Sequence, residues 1–136
     1  MLTTDFPRIS QFVATATKSE VAPSGGAAIG WLRDDELVAG VLYEDYTGED
    51  GSVTAHIAVA PGSAMSREFV HTIFDYPFKQ LKVGRIFATV ATDNWKSHRL
   101  VEHMGFEPMT TLVGYYPDAD MVVYVMTADK CRWLEK

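Results

Sequence analysis

Asn94-Trp-Lys-Ser97-His-Arg-Leu100-Val-Glu-His-Met-Gly105-Phe106 holds a helix together with the signals for both of its ends. Asn94 is among the best residues for a helix N-cap, and Gly105 suits the left-handed residue that closes a helix. Between them Ser97, Leu100, Val101 and Met104 share one face at helical spacing, so a helix is predicted over Asn94 to His103. On its N-terminal side Arg85 to Ala91 alternates like a strand. On its C-terminal side two more strands are predicted, near Phe106 to Tyr115 and Met121 to Thr127.

Further back, Phe69, Val70, Ile73, Phe74, Phe78 and Leu81 line one side of a second helix, which Ser63 or Ser66 can cap. Pro77 falls late in it and predicts a kink or a weakened last turn. The stretch Ser52 to Ala60 alternates and stops at Pro61-Gly62. Ahead of the polar loop Tyr46-Thr-Gly-Glu-Asp-Gly51, Ala27 to Arg33 and Glu36 to Asp45 read as a hairpin turning at Asp34-Asp35. Ala22-Pro-Ser-Gly-Gly26 breaks the pattern, and before it Phe6, Ile9, Phe12, Val13 and Ala16 place a first helix over Asp5 to about Lys18. Thr3, Thr4 or Asp5 can cap that helix, and Pro7 is tolerated in its first turn.

The order helix, three strands, helix, strand, helix, two strands predicts an α/β (α+β) fold, with helices covering a mixed, mostly antiparallel sheet. The strand at 52–60, the helix after it and the strand at 85–91 form a βαβ unit. This makes those two strands parallel and puts a ligand crevice at the C-terminal end of the first. With no internal repeat, low-complexity tract or linker, residues 1–136 are expected to form a single domain.

Composition narrows the function classes. A chain of 136 residues, 47% hydrophobic and 22% charged, is large and apolar enough to fold on a core of its own. A formal net charge of -6 argues against a nucleic-acid partner, since phosphate-backbone binding rests on surplus Lys and Arg. Cys131 is the only cysteine, and no Cys/His cluster has zinc-ligand spacing, so neither a disulfide framework nor a metal site is expected. The start, MLTTDFPRISQ, lacks a basic segment followed by an apolar core. The run MVVYVM at 121–126 is too short to cross a bilayer. A cytoplasmic protein without a membrane partner is the expectation. Ser and Asp are too common here to argue a Ser/His/Asp triad from their order.

The acidic residues Asp34, Asp35, Glu36, Glu44, Asp45, Glu49 and Asp50 stand together, while Arg67, Lys79, Lys82, Arg85, Lys96 and Arg99 fall later. Two solvated faces account for this; the asymmetry also suits an anionic ligand on one side and a cationic one on the other. At the helix start after Pro61-Gly62, free N–H groups and the helix dipole favour an anion near Ser63 to Arg67. APGSAMSR is neither GxGxxG nor a Walker loop, and taken alone an ordinary strand-to-helix turn accounts for it.

The 94–106 segment resembles the N-x-x-[AS]-x-x-L-x-E-x-x-G-F segment of the GNAT superfamily of acyltransferases. The helix order, the strand ending in Val59-Ala-Pro61, the helix after it and the closing strand pair also fall where that family has them. SREFVHTIFDYPFKQL and VVYVMTADKCRWL look similar to small RimJ/RimL-like proteins, a type often encoded by phages and prophages. The resemblance implies a single-domain GNAT fold whose two parallel strands splay apart around acetyl-CoA. The pantetheine arm would bond the strand edge at Ile57, Ala58 and Val59, the pyrophosphate would rest on Ser63, Met65, Ser66 and Arg67, and Asn94 and Ser97 would meet the cofactor arm. A plain helix N-cap is the alternative for Asn94, and one side chain can serve both purposes.

Two departures from the family stand out. The R-x-x-G-x-[GA] loop is absent: Gly62 is present, but Ala64-Met65-Ser66-Arg67 puts side chains where glycines let phosphates approach. The Tyr that many members carry immediately before the Glu of the 94–106 segment, placed to protonate the departing thiolate, is Val101 here. A thiol of pKa around 8.5 is already a fair leaving group, and water, Tyr115 or Tyr116 can supply its proton.

The implied function is an acetyl-CoA-dependent N-acetyltransferase in which a primary amine of a small molecule, peptide or protein attacks the thioester directly. A strand N–H near Ile57 to Val59 would stabilise the oxyanion. His56 is the candidate base that takes the amine's proton, against the alternative of a packed or solvated strand histidine. Glu44 and Asp45 are rivals that can also bind a cationic amine, against the alternative of an exposed acidic strand end. The other reading is a non-catalytic GNAT-like protein, acyl-CoA-binding or structural, and phage-associated. The altered loop and the missing Tyr favour it, while the intact 94–106 segment favours the enzyme. A homodimer is left open.

Overall fold

The period-two stretches of the chain assemble into one seven-stranded sheet, and the stretches of helical period lie on its two faces. The computed structural model describes residues 1–17, 27–63 and 65–134. The expected break at Ala22 to Gly26, the first helix's end at Lys18, and Ala64 lie outside the described residues. In chain order the elements are β1 (Leu2–Thr3), α1 (Phe6–Thr17), β2 (Ala27–Arg33), β3 (Glu36–Glu44), β4 (Ser52–Val59), α2 (Arg67–Asp75), β5 (Arg85–Ala91), α3 (Trp95–Met104), β6 (Glu107–Leu112) and β7 (Met121–Thr127). The strands stand in the order β1-β2-β3-β4-β5-β7-β6. Every neighbouring pair is antiparallel except β4 and β5, which are parallel as the βαβ argument requires.

The β2–β3 turn shows why two adjacent aspartates mark a hairpin. Asp34 and Asp35 have φ of 54° and 64°, the left-handed pair whose twist matches that of the flanking strands. Along β2, β3 and β4 the even-numbered side chains face α1, where Ile9 and Val13 cluster with Ala28, Leu42 and Ala58. Gly30 and Gly40 pair across β2 and β3 and leave a trough for Ile9, which is fully buried. The odd-numbered side chains Ile29, Val41, Tyr43, Val53, Ala55 and Ile57 face the larger core beneath α2 and α3, with Phe69, Phe74, Val101 and Met104. Asp5 begins α1, its Oδ1 accepting from the Arg8 N–H at 3.4 Å.

Three details depart from the pattern prediction. β1 is two residues long and gives no readable period, yet its pairing of Leu2 with Trp31 extends the sheet. β6 ends at Leu112 rather than Tyr115, because the chain turns through Gly114 at φ 70°, and it is irregular between Pro108 and Thr110, where proline cannot donate to the ladder. The stretch Tyr76–Gln80 winds as one turn of π-helix with Pro77 at its start, and the Leu81 N–H reaches the Tyr76 carbonyl at 3.0 Å. The expected weakening of that last turn therefore takes the form of a wider one. No helix among the described residues is long and apolar enough to cross a membrane.

Candidate active site

The parallel seam between β4 and β5 is short. Ser52, Val53 and Thr54 pair with Arg85, Ile86 and Phe87, and beyond Thr54 the two strands have no rungs in common. β4 continues to Val59 while paired to β3, and β5 continues to Ala91 while paired to β7, so the sheet opens into a V at its C-terminal ends.

Alternation decides which backbone groups line the V. The Ser52 carbonyl accepts from the Thr47 N–H and the Ala60 N–H donates to the Val38 carbonyl, so even-numbered residues bond on the β3 side. The Gly51 carbonyl accepts from the N–H groups of Gly84 and Arg85 on the β5 side. Odd-numbered residues therefore aim N–H and C=O toward β5, and past Thr54 these belong to Ala55, Ile57 and Val59. Ile57 and Val59 thus turn their backbone groups into the V. Ala58 differs: its backbone pairs with Gly40 and its side chain is buried beneath α1. On the far wall the Thr92 N–H bonds to the Asp120 carbonyl, which leaves Phe87 and Thr89 turned to the V.

α2 starts just beyond the end of β4. Ser66, not Ser63, is its cap, accepting from the Phe69 N–H at 3.0 Å. The N–H groups of Arg67 and Glu68, in the first turn, have no intrahelical acceptor. Arg67 is exposed, while Met65 is half-buried and packs on the core. Ser63 donates its N–H to the Ala60 carbonyl in the connecting turn. Gly62 sits there at φ 77° with open space where a Cβ would be, so its backbone conformation, rather than crowding, calls for glycine.

Opposite, α3 starts at the end of β5. Asn94 caps it, Oδ1 accepting from the Ser97 N–H at 3.3 Å, while its own N–H is held by the Ala91 carbonyl at 2.9 Å. Its Nδ2 amide makes no hydrogen bond among the described residues, so capping leaves a donor pair to spare. Gly105 ends the helix at φ 105°.

His56 is on β4, on the α1 side of the sheet, with Nε2 3.8 Å from Glu44 Oε1. The base candidate and one of its rivals are thus neighbours; Asp45 is exposed, at φ 57°. Glu44 and Asp45 also line a cavity of about 240 Å³ with Tyr43, Tyr46, Val53 and Tyr76, at the end of the sheet where β4 begins. A larger hollow of about 430 Å³ lies against β1 and β2, lined by Leu2, Phe6, Ile29 and Tyr76, away from the V.

Tyr116 is in the β6–β7 connection, which Asp120 ties to the end of β5 through its N–H to Thr92 Oγ1. Its phenol pKa is raised by partial burial and by the proximity of Tyr115 and Asp93, so the hydroxyl holds its proton. A further polar chain, His98, Tyr124 and Glu102, runs beside Asn94 with contacts of 2.8 and 2.9 Å. It lay outside the sequence pattern because it joins a helix to a strand distant in the chain. The i,i+4 spacing of His98 and Glu102 was the one local sign of it. Among the described residues no group of three or more His, Cys, Asp or Glu is arranged to hold a metal ion.

No protein-family model matches the sequence. No curated protein matches it either. Solved structures do. A spermidine N-acetyltransferase from Vibrio cholerae, in complex with CoA and spermine, superposes with a TM-score of 0.75 at 18% identity, over 96% of each chain. A dodecameric structure of a spermidine N-acetyltransferase from the same organism gives 0.73 at 17% identity, over 96% of this chain and 94% of that one. A ribosomal-protein-S5-alanine acetyltransferase from Vibrio fischeri gives 0.65 at 18% identity, over 79% of this chain and 64% of its own. At these identities the likeness is one of fold, and the fold is that of the GNAT acyltransferases.

Proposed function

We propose that the protein is an acetyl-CoA-dependent N-acetyltransferase acting on a primary amine. The observation that carries this reading is the V itself: two parallel strands that part after Thr54 and leave the backbone groups of Ile57 and Val59 without a partner on the β5 side. An extended chain of amide groups, such as the pantetheine arm, meets its hydrogen-bonding needs on such an edge. The free amides of Arg67 and Glu68, with the Arg67 side chain, lie where its phosphates would end.

In the reaction the amine nitrogen attacks the thioester carbonyl. The C–N bond forms, the C–S bond breaks, and the thiolate leaves. The Ile57 or Val59 N–H stabilises the charge that develops on the carbonyl oxygen. His56 accepts the amine's proton with Glu44 beside its Nε2, and Tyr116, which holds its own proton, or water protonates the thiolate. An amine that arrives as a cation finds the Glu44 carboxylate beside His56. The Vibrio structure with spermine bound makes polyamines the first acceptors to try. On the same reading we place the protein in the cytoplasm and near the RimJ/RimL-like branch.

One observation favours a non-catalytic acyl-CoA binder: Val101 is buried in the core where many relatives have a tyrosine acid. Calorimetry with acetyl-CoA, followed by thiol release against polyamines, amino acids and peptides, tests both. Binding with amine-dependent thiol release supports the enzyme; binding without release supports the second reading; absence of binding at millimolar acetyl-CoA defeats both.

A further inference from the structure

The polar chain beside Asn94 ties the start of α3 to both β5 and β7. His98 Nε2 is 2.9 Å from the Ala91 carbonyl, which can only accept, so Nε2 bears a hydrogen. His98 Nδ1 is 2.8 Å from Tyr124 Oη, and Tyr124 Oη is 2.9 Å from Glu102 Oε2. Tyr124 donates to Glu102 and keeps its proton: burial and that hydrogen bond push its pKa up to about 12. The His98 ring thus lies between a backbone carbonyl and a phenol whose own hydrogen points to a carboxylate.

We infer that His98, spanning the Ala91 carbonyl and Tyr124, is a positioning residue that fixes the start of α3 to the end of β5 and so holds Asn94 at the wall of the V. The Ala91 carbonyl is the shared point, since it accepts from both the Asn94 N–H and His98 Nε2. Tyr124 anchors the other end, buried on β7 directly opposite Ala88 of β5. The ionisable groups that face His98 are Tyr124 from β7 and Glu102 from its own helix; β5 contributes the Ala91 carbonyl. This rests on the reading of the V as the acyl-CoA site only as far as affinity is concerned, because the placement of Asn94 can be followed without ligand.

Two measurements on the full chain test it. Nitrogen NMR of the His98 ring, in the parent and in Tyr124→Phe, reads the hydrogen bonds of its two nitrogens. A slowly exchanging hydrogen on Nε2 and an Nδ1 resonance that shifts when Tyr124 is replaced are expected; an Nε2 without a hydrogen, or an Nδ1 indifferent to Tyr124, overturns the proposal. Hydrogen exchange at the Asn94 amide and the Kd for acetyl-CoA are then followed in the parent, Tyr124→Phe, His98→Gln and His98→Ala. Faster Asn94 exchange and a Kd up to about tenfold higher, the order a hydrogen bond is worth, are expected in Tyr124→Phe and His98→Ala. The Gln amide can still reach the Ala91 carbonyl and is expected to restore part of the loss. Asn94 exchange unchanged in the folded variants overturns the positioning role. If exchange responds while the parent binds no acetyl-CoA, the positioning stands and the acyl-CoA reading of the V fails.

Discussion

Glu44 and His56 stand on adjacent antiparallel strands two residues out of register, with His56 opposite Leu42 and Glu44 opposite Thr54, and their side chains meet diagonally at 3.8 Å. Both are about a quarter to a third exposed, so the pair is open to solvent and contributes little to stability. A carboxylate in that position can keep the imidazole oriented.

His56→Ala is therefore expected to lower kcat by roughly 100-fold or more, the usual contribution of a general base, with the KM for acetyl-CoA nearly unchanged. Glu44→Gln should cost less in kcat and raise the KM of a cationic acceptor. Steady-state kinetics on any amine that proves to be a substrate decides this. Parental turnover in folded His56→Ala would pass the role to Glu44, Asp45 or water.

Asn94→Asp separates two jobs of one side chain. An aspartate retains the oxygen that accepts from the Ser97 N–H, and Asp caps as well as Asn, so the melting temperature should stay close to the parent's. The unbonded Nδ2 donor is lost, so the Kd for acetyl-CoA should rise. Asn94→Ala should lose both, with about 1 kcal/mol of stability gone alongside the affinity. Thermal melts and calorimetry on the two variants give the comparison.

At Gly30 a Cβ would come within 2.8 Å of Leu37 Cδ1, 3.0 Å of Ile9 Cγ1 and 3.1 Å of Thr3 Cγ2. Gly30→Val thus overfills the trough that seats α1. It should cost roughly 1–3 kcal/mol, read as a lower urea midpoint at an unchanged slope. An unaltered midpoint would mean that α1 can lift off the sheet at no expense.

Tyr124 makes alkaline stability a readout of its own. Its folded pKa, pushed up to about 12 first by burial and then by Glu102, lies above the ordinary value of 10.0 that it has when unfolded. A raised pKa means that the stabilisation is complete below about pH 10 and is lost as pH climbs through about 12. Parent protein should shed roughly 2–3 kcal/mol to this group across that window. Tyr124→Phe should start less stable and show a flatter alkaline limb in melts from pH 8 upward.

What the sequence discloses depends on whether a feature is local. The strand at 85–91, the Asn94 cap and the Gly105 closure are each written within a few residues, and each is found in place. The opening of β4 from β5 depends on pairing partners far apart in the chain, and no period reports it; the family resemblance supplied the expectation. His98, Tyr124 and Glu102 escaped for the same reason, as did the meeting of His56 with Glu44, which needs the β3–β4 register before it can be drawn. β1 escaped because two residues cannot show alternation.

The brevity of the β4–β5 seam also bears on how the chain comes together. The hairpins from β2 to β4 join segments that follow one another directly, so their contacts close small loops and cost little chain entropy. β5 and β7 are separated by α3 and β6 but share seven paired positions, whereas the two halves of the sheet share three. The halves thus resemble two separately cooperative units stitched by three residues of ladder and by α2 lying beneath both. A molecule laid in the V acts as the missing rungs, so its binding energy goes into uniting those units, and the protein's resistance to partial opening should track occupancy of the V more closely than its resistance to complete unfolding.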